Sequence, residues 1–269
     1  RLFPLSLAPR FKYNYFHYLH WLKHLLERLG RECTLAVWQN AFKNYNDEFL
    51  MQILSEEWTN VTDSDSGDAE DQIAFFLSKL FPLLVENVSA GEARQIIETT
   101  PPFHQIRQCF PSPNVVRQIT AYEALHLFHD GLALIAESLI DFHGKQGELI
   151  AYDAMLEKLV ADQKKTISVA EFMSKRLLRY SSEPDEPDIF TAGLEVELIR
   201  GSEREVVTHV KECEWARYYQ ERHPRVGYMM VCSLDNANYE SFNKNIRLQH
   251  TSTLMEGGKV CDFRVYAIE

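Results

Sequence analysis

Residues 246–268, IRLQHTSTLMEGGKVCDFRVYAI, decide the expected fold of the last part of the chain. Two runs rich in β-branched and aromatic residues, 246–253 and 260–268, flank the sequence Glu-Gly-Gly-Lys at 256–259. Adjacent glycines supply the positive φ values that a tight turn needs. The pattern therefore predicts a β-hairpin.

The second strand of this hairpin alternates between two kinds of side chain. Successive residues of a strand point to opposite faces of the sheet. One face is expected to carry Cys261, Phe263 and Val265, and the other Asp262, Arg264 and Tyr266. Cys261 and Asp262 are therefore expected on opposite faces, so that only a bulge would bring both into one pocket.

The rest of the chain divides into two parts with different hydrophobic periods. Up to about residue 180 the apolar spacing is helical, and after it the period is two. The predicted helices cover 11–29, ending at Gly30, then 35–58, 71–88, 116–142 with a bend near Gly131, 147–162 and 169–178. The predicted strands cover 194–199, 206–210 and 228–232, with a helix at 212–221 and a loop or short helix at 233–242.

These elements predict an α+β protein in which a helical region precedes a small, mainly antiparallel α+β domain that ends in the hairpin. The expected division is a helical region at 1–180, a linker at 181–189 and the α+β domain at 190–269. The linker is the proline-rich, acidic sequence SSEPDEPD. A second acidic stretch, at 62–71, is expected to form an exposed loop.

The composition excludes several classes of function. The chain has 269 residues and a formal net charge of −11, with no basic run, which argues against nucleic acid as a partner. No uninterrupted apolar stretch reaches transmembrane length, so no membrane partner is expected. The five cysteines, an odd number without a C-x-x-C pair, predict no disulfide framework and favour a reducing cytoplasm. If the chain forms a homo-oligomer, the helical region is the expected contact surface.

Two groups on the predicted helices have the spacing of metal ligands. Glu123 and His126 form the Glu-x-x-His half-motif of di-iron bundles, but no second copy occurs in the chain. His17, His20 and His24 share one helix face, among aromatic residues that favour helix packing instead. Neither group is expected to bind metal.

The C-terminal part concentrates the residues suited to catalysis. Cys213, Cys232 and Cys261 lie in or beside three separate elements, and Asp235 follows the second cysteine by three residues. Such a group is either a metal site or a nucleophile with its base, and His250 or Asp235 is the expected base. The spacings of 19 and 29 residues between the cysteines match no closed zinc motif, so the metal reading is not preferred.

Residues 205–266 contain a set of short motifs. A cysteine opens a helix at Cys213, a second cysteine, Cys232, is followed three residues later by Asp235, and the small-residue turn TLMEG at 253–257 precedes CDFR at 261–264. In these motifs the segment resembles the family of L-2-amino-thiazoline-4-carboxylic acid hydrolases. One position departs, since relatives commonly carry Arg-Thr before the turn and this chain has His250 and Thr251.

The resemblance implies a hydrolase that opens a small nitrogen- and sulfur-containing ring at a C=N carbon, breaking a C–N or C–S bond. The implied catalytic residues are Cys261, Cys232, Asp235 and Cys213, and the implied substrate-binding residues are Arg264, His250 and Asp262. The only implied partner is a small-molecule substrate, and the resemblance does not specify a cofactor. A more distant resemblance to 4-vinyl-reductase-type domains implies the alternative, a non-catalytic module that binds or senses a small molecule.

Overall fold

A computed structural model describes residues 2–43, 45, 48, 52, 59–60, 89–99, 115–162, 167–181 and 189–268. The helices are α1 (Leu7–Phe42), α2 (Ala90–Thr99), α3 (Ala121–Asp162), α4 (Val169–Ser181), α5 (Ile189–Gly193), α6 (Glu214–Arg222), α7 (Gly227–Met230) and α8 (Asp235–Phe242). The strands are β1 (Leu2–Ser6), β2 (Thr59–Asn60), β3 (Val115–Thr120), β4 (Leu194–Gly201), β5 (Glu205–Cys213), β6 (Ile246–Gln249) and β7 (Cys261–Ala267). The predicted α+β class is confirmed.

The described residues form two compact units. Those within 4–119 and 123–150 make up a helical unit, and those within 1–3, 120–122 and 151–269 make up a C-terminal unit. The predicted linker at 181–189 falls mostly outside the described residues, as do the acidic loop at 62–71 and the predicted helix at 71–88. Among the described helices, none is both long enough and apolar enough to cross a membrane.

Glycines divide the two long helices. Gly30, with φ of 72°, interrupts α1 where the first helix was predicted to end. Gly144, with φ of 55°, interrupts α3, so the prediction of a bend near Gly131 is wrong. Gly131 serves close packing instead, because a Cβ atom there would lie 1.9 Å from the hydroxyl oxygen of Tyr18.

The helix predicted to start at residue 116 starts later, at Ala121. The preceding residues form β3, the central strand of a three-stranded sheet with the order β1-β3-β2. Two valines, an isoleucine and a threonine in its sequence VVRQIT explain this, since β-branched side chains favour strands. The helical prediction for these residues was therefore wrong.

The C-terminal unit is built on a four-stranded antiparallel sheet with the order β4-β5-β7-β6. One face of the sheet packs against α4 and α8. The shared core consists of Phe172, Met173, Val206, Ile246, Leu248 and Val265. Because α4 supplies Phe172 and Met173 to this core, the helix packs on the sheet.

The predicted hairpin is confirmed, but its turn is longer than expected. Strand β6 ends at Gln249 and β7 begins at Cys261, and between them Leu254–Glu256 forms a 3₁₀ turn. Thr253 caps this turn, and Gly257, with φ of 85°, ends it. The alternation predicted for β7 is confirmed at Cys261 and Val265, which are buried, and at Arg264, which is exposed.

The strand predicted at 228–232 is wrong, because these residues form helix α7 and the start of a 3₁₀ turn at Cys232–Leu234. A short apolar run of this kind does not distinguish a strand from a buried helical turn. The close packing of Gly227 favours a helical turn at this position. A Cβ atom on Gly227 would lie 2.6 Å from the Cβ of Tyr219 and 2.8 Å from the sulfur of Met255.

Candidate functional site

The three cysteines of the C-terminal unit lie where its elements meet. Cys213 ends β5 and is the N-cap of α6. Cys232 opens the 3₁₀ turn that leads into α8 at Asp235. Cys261 begins β7 and pairs with Val210 of β5. These residues are far apart in the sequence, and the fold places Cys213, Cys232, Asp235 and Cys261 close enough for their charges to influence one another.

Backbone amides at the start of helical turns donate hydrogen bonds to two of the sulfurs. The amide of Ala216 donates to Cys213 Sγ at 3.4 Å, and the amide of Leu254 donates to Cys261 Sγ at 3.1 Å. Amides in such positions favour a thiolate over a thiol. The 3₁₀ turn that carries Leu254 is itself fixed, because the side chain of Gln220 donates hydrogen bonds to the carbonyls of Leu254 and Met255 at 2.8 and 3.2 Å.

Burial raises the pKa of all three thiols and so favours their neutral form. Burial raises the pKa of Cys213 to about 11, against the opposing hydrogen bond from Ala216. Burial also raises the pKa of Cys232 far above its usual value, and the charge of Asp235 adds to this. The pKa of Cys261 is raised by burial, while the amide of Leu254 acts to lower it. Any reaction through a thiolate here needs a base to remove the proton.

Asp235 is the group in this cluster that titrates near neutral pH. Burial raises the pKa of its carboxyl to about 7, although the charge of Arg176 acts in the opposite direction. The charge of Asp235 in turn raises the pKa of all three thiols. A carboxyl with this pKa is suited to accept a proton and return it within one reaction cycle.

Arg176 is a part of this cluster that the sequence analysis missed. It lies on α4, and its guanidinium carbon is 4.8 Å from the ring centre of Tyr239 and 5.0 Å from that of Tyr180. Burial acts to lower the pKa of Arg176, but Tyr239, Tyr180 and Asp235 outweigh it and raise the pKa. The only signal in the sequence was Tyr180, four residues after Arg176 and so on the same helix face.

Asp262 lies on the opposite face of β7 from Cys261 and holds the preceding loop. Its carboxylate accepts hydrogen bonds from the amides of Thr251 and Ser252 at 2.8 and 2.7 Å and from the Thr251 hydroxyl at 2.5 Å. Burial acts to raise the pKa of the Asp262 carboxyl, but these hydrogen bonds outweigh it and lower the pKa. The hydrogen bonds of the Asp262 carboxylate therefore hold the loop that leads to Leu254.

We expect Asp262→Asn to lower the free energy of unfolding of the C-terminal unit by about 1–3 kcal/mol, because an amide cannot accept all three bonds. Chemical denaturation at pH 7 measures this change. The matched control is Glu212→Gln, which neutralises an exposed carboxylate on β5 and is expected to have little effect. Equal stabilities of the two variants would show that the loop does not depend on Asp262.

The structure does not bring Arg264 to the thiol cluster. The side chain is exposed on the other face of the sheet, where its Nε donates to Glu205 at 2.6 Å and its Nη1 donates to Gln249 at 3.1 Å. Its guanidinium also covers the ring of Tyr266 at 4.7 Å.

His250 lies beside β7 rather than on it. Its ring stacks on Phe263 with 5.8 Å between the ring centres. Phe263 itself packs against the core of the C-terminal unit. His250 is therefore held next to the core through a ring contact.

The residues with metal-ligand spacing serve other contacts. Glu123 forms an ion pair with Arg117 at 3.1 Å, and Nδ1 of the buried His126 lies 3.7 Å from an oxygen of Asp130. His17 and His24 are buried within the helical unit. Across the described ranges, no three histidine, cysteine or acidic side chains are arranged to hold a metal ion.

Comparison with known proteins identifies one family. The sequence model of the family described as L-2-amino-thiazoline-4-carboxylic acid hydrolase matches residues 116–265. No curated protein and no solved structure matches the chain. The family resemblance is confirmed, and the match extends upstream of residue 205 to include Arg176 and the whole of α3.

Proposed function

Because this chain belongs to the L-2-amino-thiazoline-4-carboxylic acid hydrolase family, we propose that it hydrolyses a small nitrogen- and sulfur-containing heterocycle by opening the ring at its C=N carbon. The observation that carries the proposal is the cluster of Cys213, Cys232, Cys261 and Asp235, all of which lie in the matched segment. Its electrostatics support proton transfer at neutral pH, since the pKa of Asp235 is about 7.

We assign the first step to Cys261 and Asp235. The ionised carboxylate of Asp235 takes the proton from the Cys261 thiol as the sulfur attacks the C=N carbon of the ring. The amide of Leu254, which already donates to this sulfur, stabilises the negative charge that develops on it. The ring nitrogen gains electron density during this attack, and the carbon becomes tetrahedral.

The second half of the reaction returns the enzyme to its starting state. One ring bond from the tetrahedral carbon, C–S or C–N, breaks, and the protonated Asp235 gives its proton to the departing atom. The ionised Asp235 then takes a proton from a water molecule as the water oxygen attacks the carbon that is still bound to Cys261. Asp235 returns this proton to the Cys261 sulfur as the bond between that sulfur and the carbon breaks. The net change is the addition of one water molecule and the loss of one ring bond, without an oxidant or reductant.

Turnover of 2-aminothiazoline-4-carboxylate by the purified protein tests the proposal. We expect a product with the mass of the substrate plus one water, detected by mass spectrometry. Titration of free thiol groups identifies the broken bond, because C–S cleavage releases a thiol and C–N cleavage releases an amine. The boiled protein and the Asp235→Asn variant serve as controls for spontaneous ring opening.

The same experiment distinguishes the hydrolase from the alternative, a non-catalytic binding module. A ligand that binds only the folded protein raises its melting temperature. Stabilisation by the heterocycle without any product would favour the binding module and contradict the hydrolase. Product formation above the rate of the boiled control would contradict the binding module.

A further inference from the structure

Arg176 is a half-buried cation that has no carboxylate at contact distance among the described residues. The neighbours of its guanidinium are the rings of Tyr180 and Tyr239, with a hydrogen bond to Tyr239, and Asp235 acts on it only at longer range, through charge. Its Nε atom is buried and has no hydrogen-bond partner in the described part of the chain. By contrast, the ion pairs of Arg200, Arg217, Arg247 and Arg264 are formed with exposed or half-buried surface carboxylates.

Such an arrangement is costly unless an anion completes it. A half-buried cation loses part of its hydration, and a partner at contact distance normally compensates for the loss. A buried N–H without an acceptor adds a further cost. A carboxylate removes both costs at once, because its two oxygens match the parallel N–H groups at the Nε edge of a guanidinium.

The position of Arg176 suits a ligand that reacts at the thiols. Asp235 lies near both features, since its charge acts both on Arg176 and on Cys213, Cys232 and Cys261. The rings of Tyr180 and Tyr239 restrict the plane of the Arg176 guanidinium and so fix the direction from which a carboxylate can approach. A small molecule held at Arg176 by its carboxylate would therefore lie near Asp235.

A second buried polar atom without a partner lies on the face of the sheet that carries Cys261. It is the Thr208 hydroxyl oxygen on β5, one of the buried polar groups for which the described residues supply no hydrogen bond. Thr208 pairs with Phe263 and follows the same alternation as Val210, the partner of Cys261. Buried polar atoms normally have a hydrogen-bond partner, so a ligand or a water molecule is expected to complete this one.

We infer that Arg176 binds the carboxylate of the substrate and thereby restricts the site to small heterocycles that carry a carboxylate on the ring. The identity of the ring rests on the proposed function, whereas the recognition of the carboxylate does not. This assignment replaces the expectation that Arg264 binds the substrate, because Arg264 lies on the opposite face and already contacts Glu205 and Gln249.

Binding of a saturated analogue tests the inference without any turnover. L-Thiazolidine-4-carboxylate has no C=N bond to hydrolyse, and its carboxamide lacks the charge. By calorimetry we expect the wild-type protein to bind the carboxylate at least about tenfold more tightly than the carboxamide. In Arg176→Gln the ratio is expected to fall to about one, since the amide cannot form the charged pair.

Two further variants make the result specific. Arg217 also covers a tyrosine ring, that of Tyr122 at 4.7 Å, but it is exposed and paired with Glu214, so Arg217→Gln is expected to keep the wild-type ratio. Arg176→Lys keeps the charge and loses the Nε edge, and an intermediate ratio is expected. If Arg176→Gln does not fold, as judged by circular dichroism, the comparison of Arg176→Lys with Arg217→Gln decides the question.

Several outcomes would overturn the inference. The first is a wild-type protein that binds both analogues equally or binds neither. The second is a full preference for the carboxylate in Arg176→Gln or in Arg176→Lys. Loss of the preference in Arg264→Gln, with its retention in the Arg176 variants, would restore the assignment made from the sequence. Failure of the turnover experiment alone leaves this result unaffected, because no step of the binding measurement depends on catalysis.

Discussion

Asp235→Asn is expected to lower kcat by at least about 100-fold, the usual contribution of a general acid–base group. In the proposed reaction the carboxylate removes the proton from the Cys261 thiol, and an amide cannot accept it. The same role predicts the pH dependence of the wild-type enzyme. Because the pKa of Asp235 is about 7 and the ionised form is required, kcat/KM is expected to rise as the pH increases through about 7.

The stability of Asp235→Asn is expected to change in the opposite direction from its activity. The folded-state pKa of about 7 lies well above the usual value of an aspartate, so folding favours the protonated form. The stability that this group contributes is complete below the unfolded-state pKa and is lost as the pH rises through about 7. At pH 8 the neutral amide is therefore expected to raise the melting temperature relative to the wild type.

The control for this variant is Glu240→Gln, which neutralises an exposed carboxylate on the same helix, one that pairs with Arg247 at 3.2 Å. Wild-type activity is expected there. An Asp235→Asn enzyme that kept its activity would eliminate Asp235 as the base. A variant that lost both activity and stability at pH 8 would instead indicate that the carboxylate is needed for folding.

Cys261→Ala is expected to reduce kcat by at least about 1,000-fold, because removal of a nucleophile abolishes the covalent route. Cys213→Ala and Cys232→Ala are expected to have smaller effects, through packing and local polarity. Cys33→Ala provides the matched control, since Cys33 is an exposed cysteine of the helical unit. Steady-state rates for the four variants, measured at one pH, give the comparison.

Alkylation provides a second measurement on the same residue. Since burial raises the pKa of Cys261, its reaction with iodoacetamide is expected to be slow at pH 7 and to accelerate as the pH increases. Substrate should protect Cys261 and leave Cys33 unprotected. Full activity in Cys261→Ala would eliminate the covalent intermediate and leave direct attack by water, with Asp235 as its base.

The parts of the fold that follow from local pattern could be predicted from the sequence. The alternation in β7 and the glycine at the end of the first helical segment are of this kind, because each depends on a few neighbouring residues. The helix at Gly227–Met230 could not be predicted in this way. Its short apolar run fits two secondary structures, and the packing of Gly227 against Tyr219 and Met255 favours one of them.

The residues of the candidate site also divide into those that the local sequence predicts and those that depend on the fold. Cys213, Cys232, Asp235 and Cys261 could be grouped from their motif in the sequence alone. Arg176 could not, because it belongs to a helix outside the segment where the motif is clear. Its significance depends on Asp235, Tyr180 and Tyr239, and two of these lie more than fifty residues away in the sequence. Arg264 was predicted to bind the substrate because of its position in the motif, but the alternation of β7 places it on the face opposite Cys261.

The opposite directions of Cys261 and Asp262 make this dipeptide sensitive to the length of the chain around it. Asp262 fixes the loop from one side of β7, and the loop delivers the amide of Leu254 to the sulfur on the other side. A deletion of one residue within β7 would exchange the two faces and place a carboxylate in the core. Insertions beside the exposed Gly257 leave that arrangement intact, so natural length variation in this hairpin should be confined to the tip of its loop.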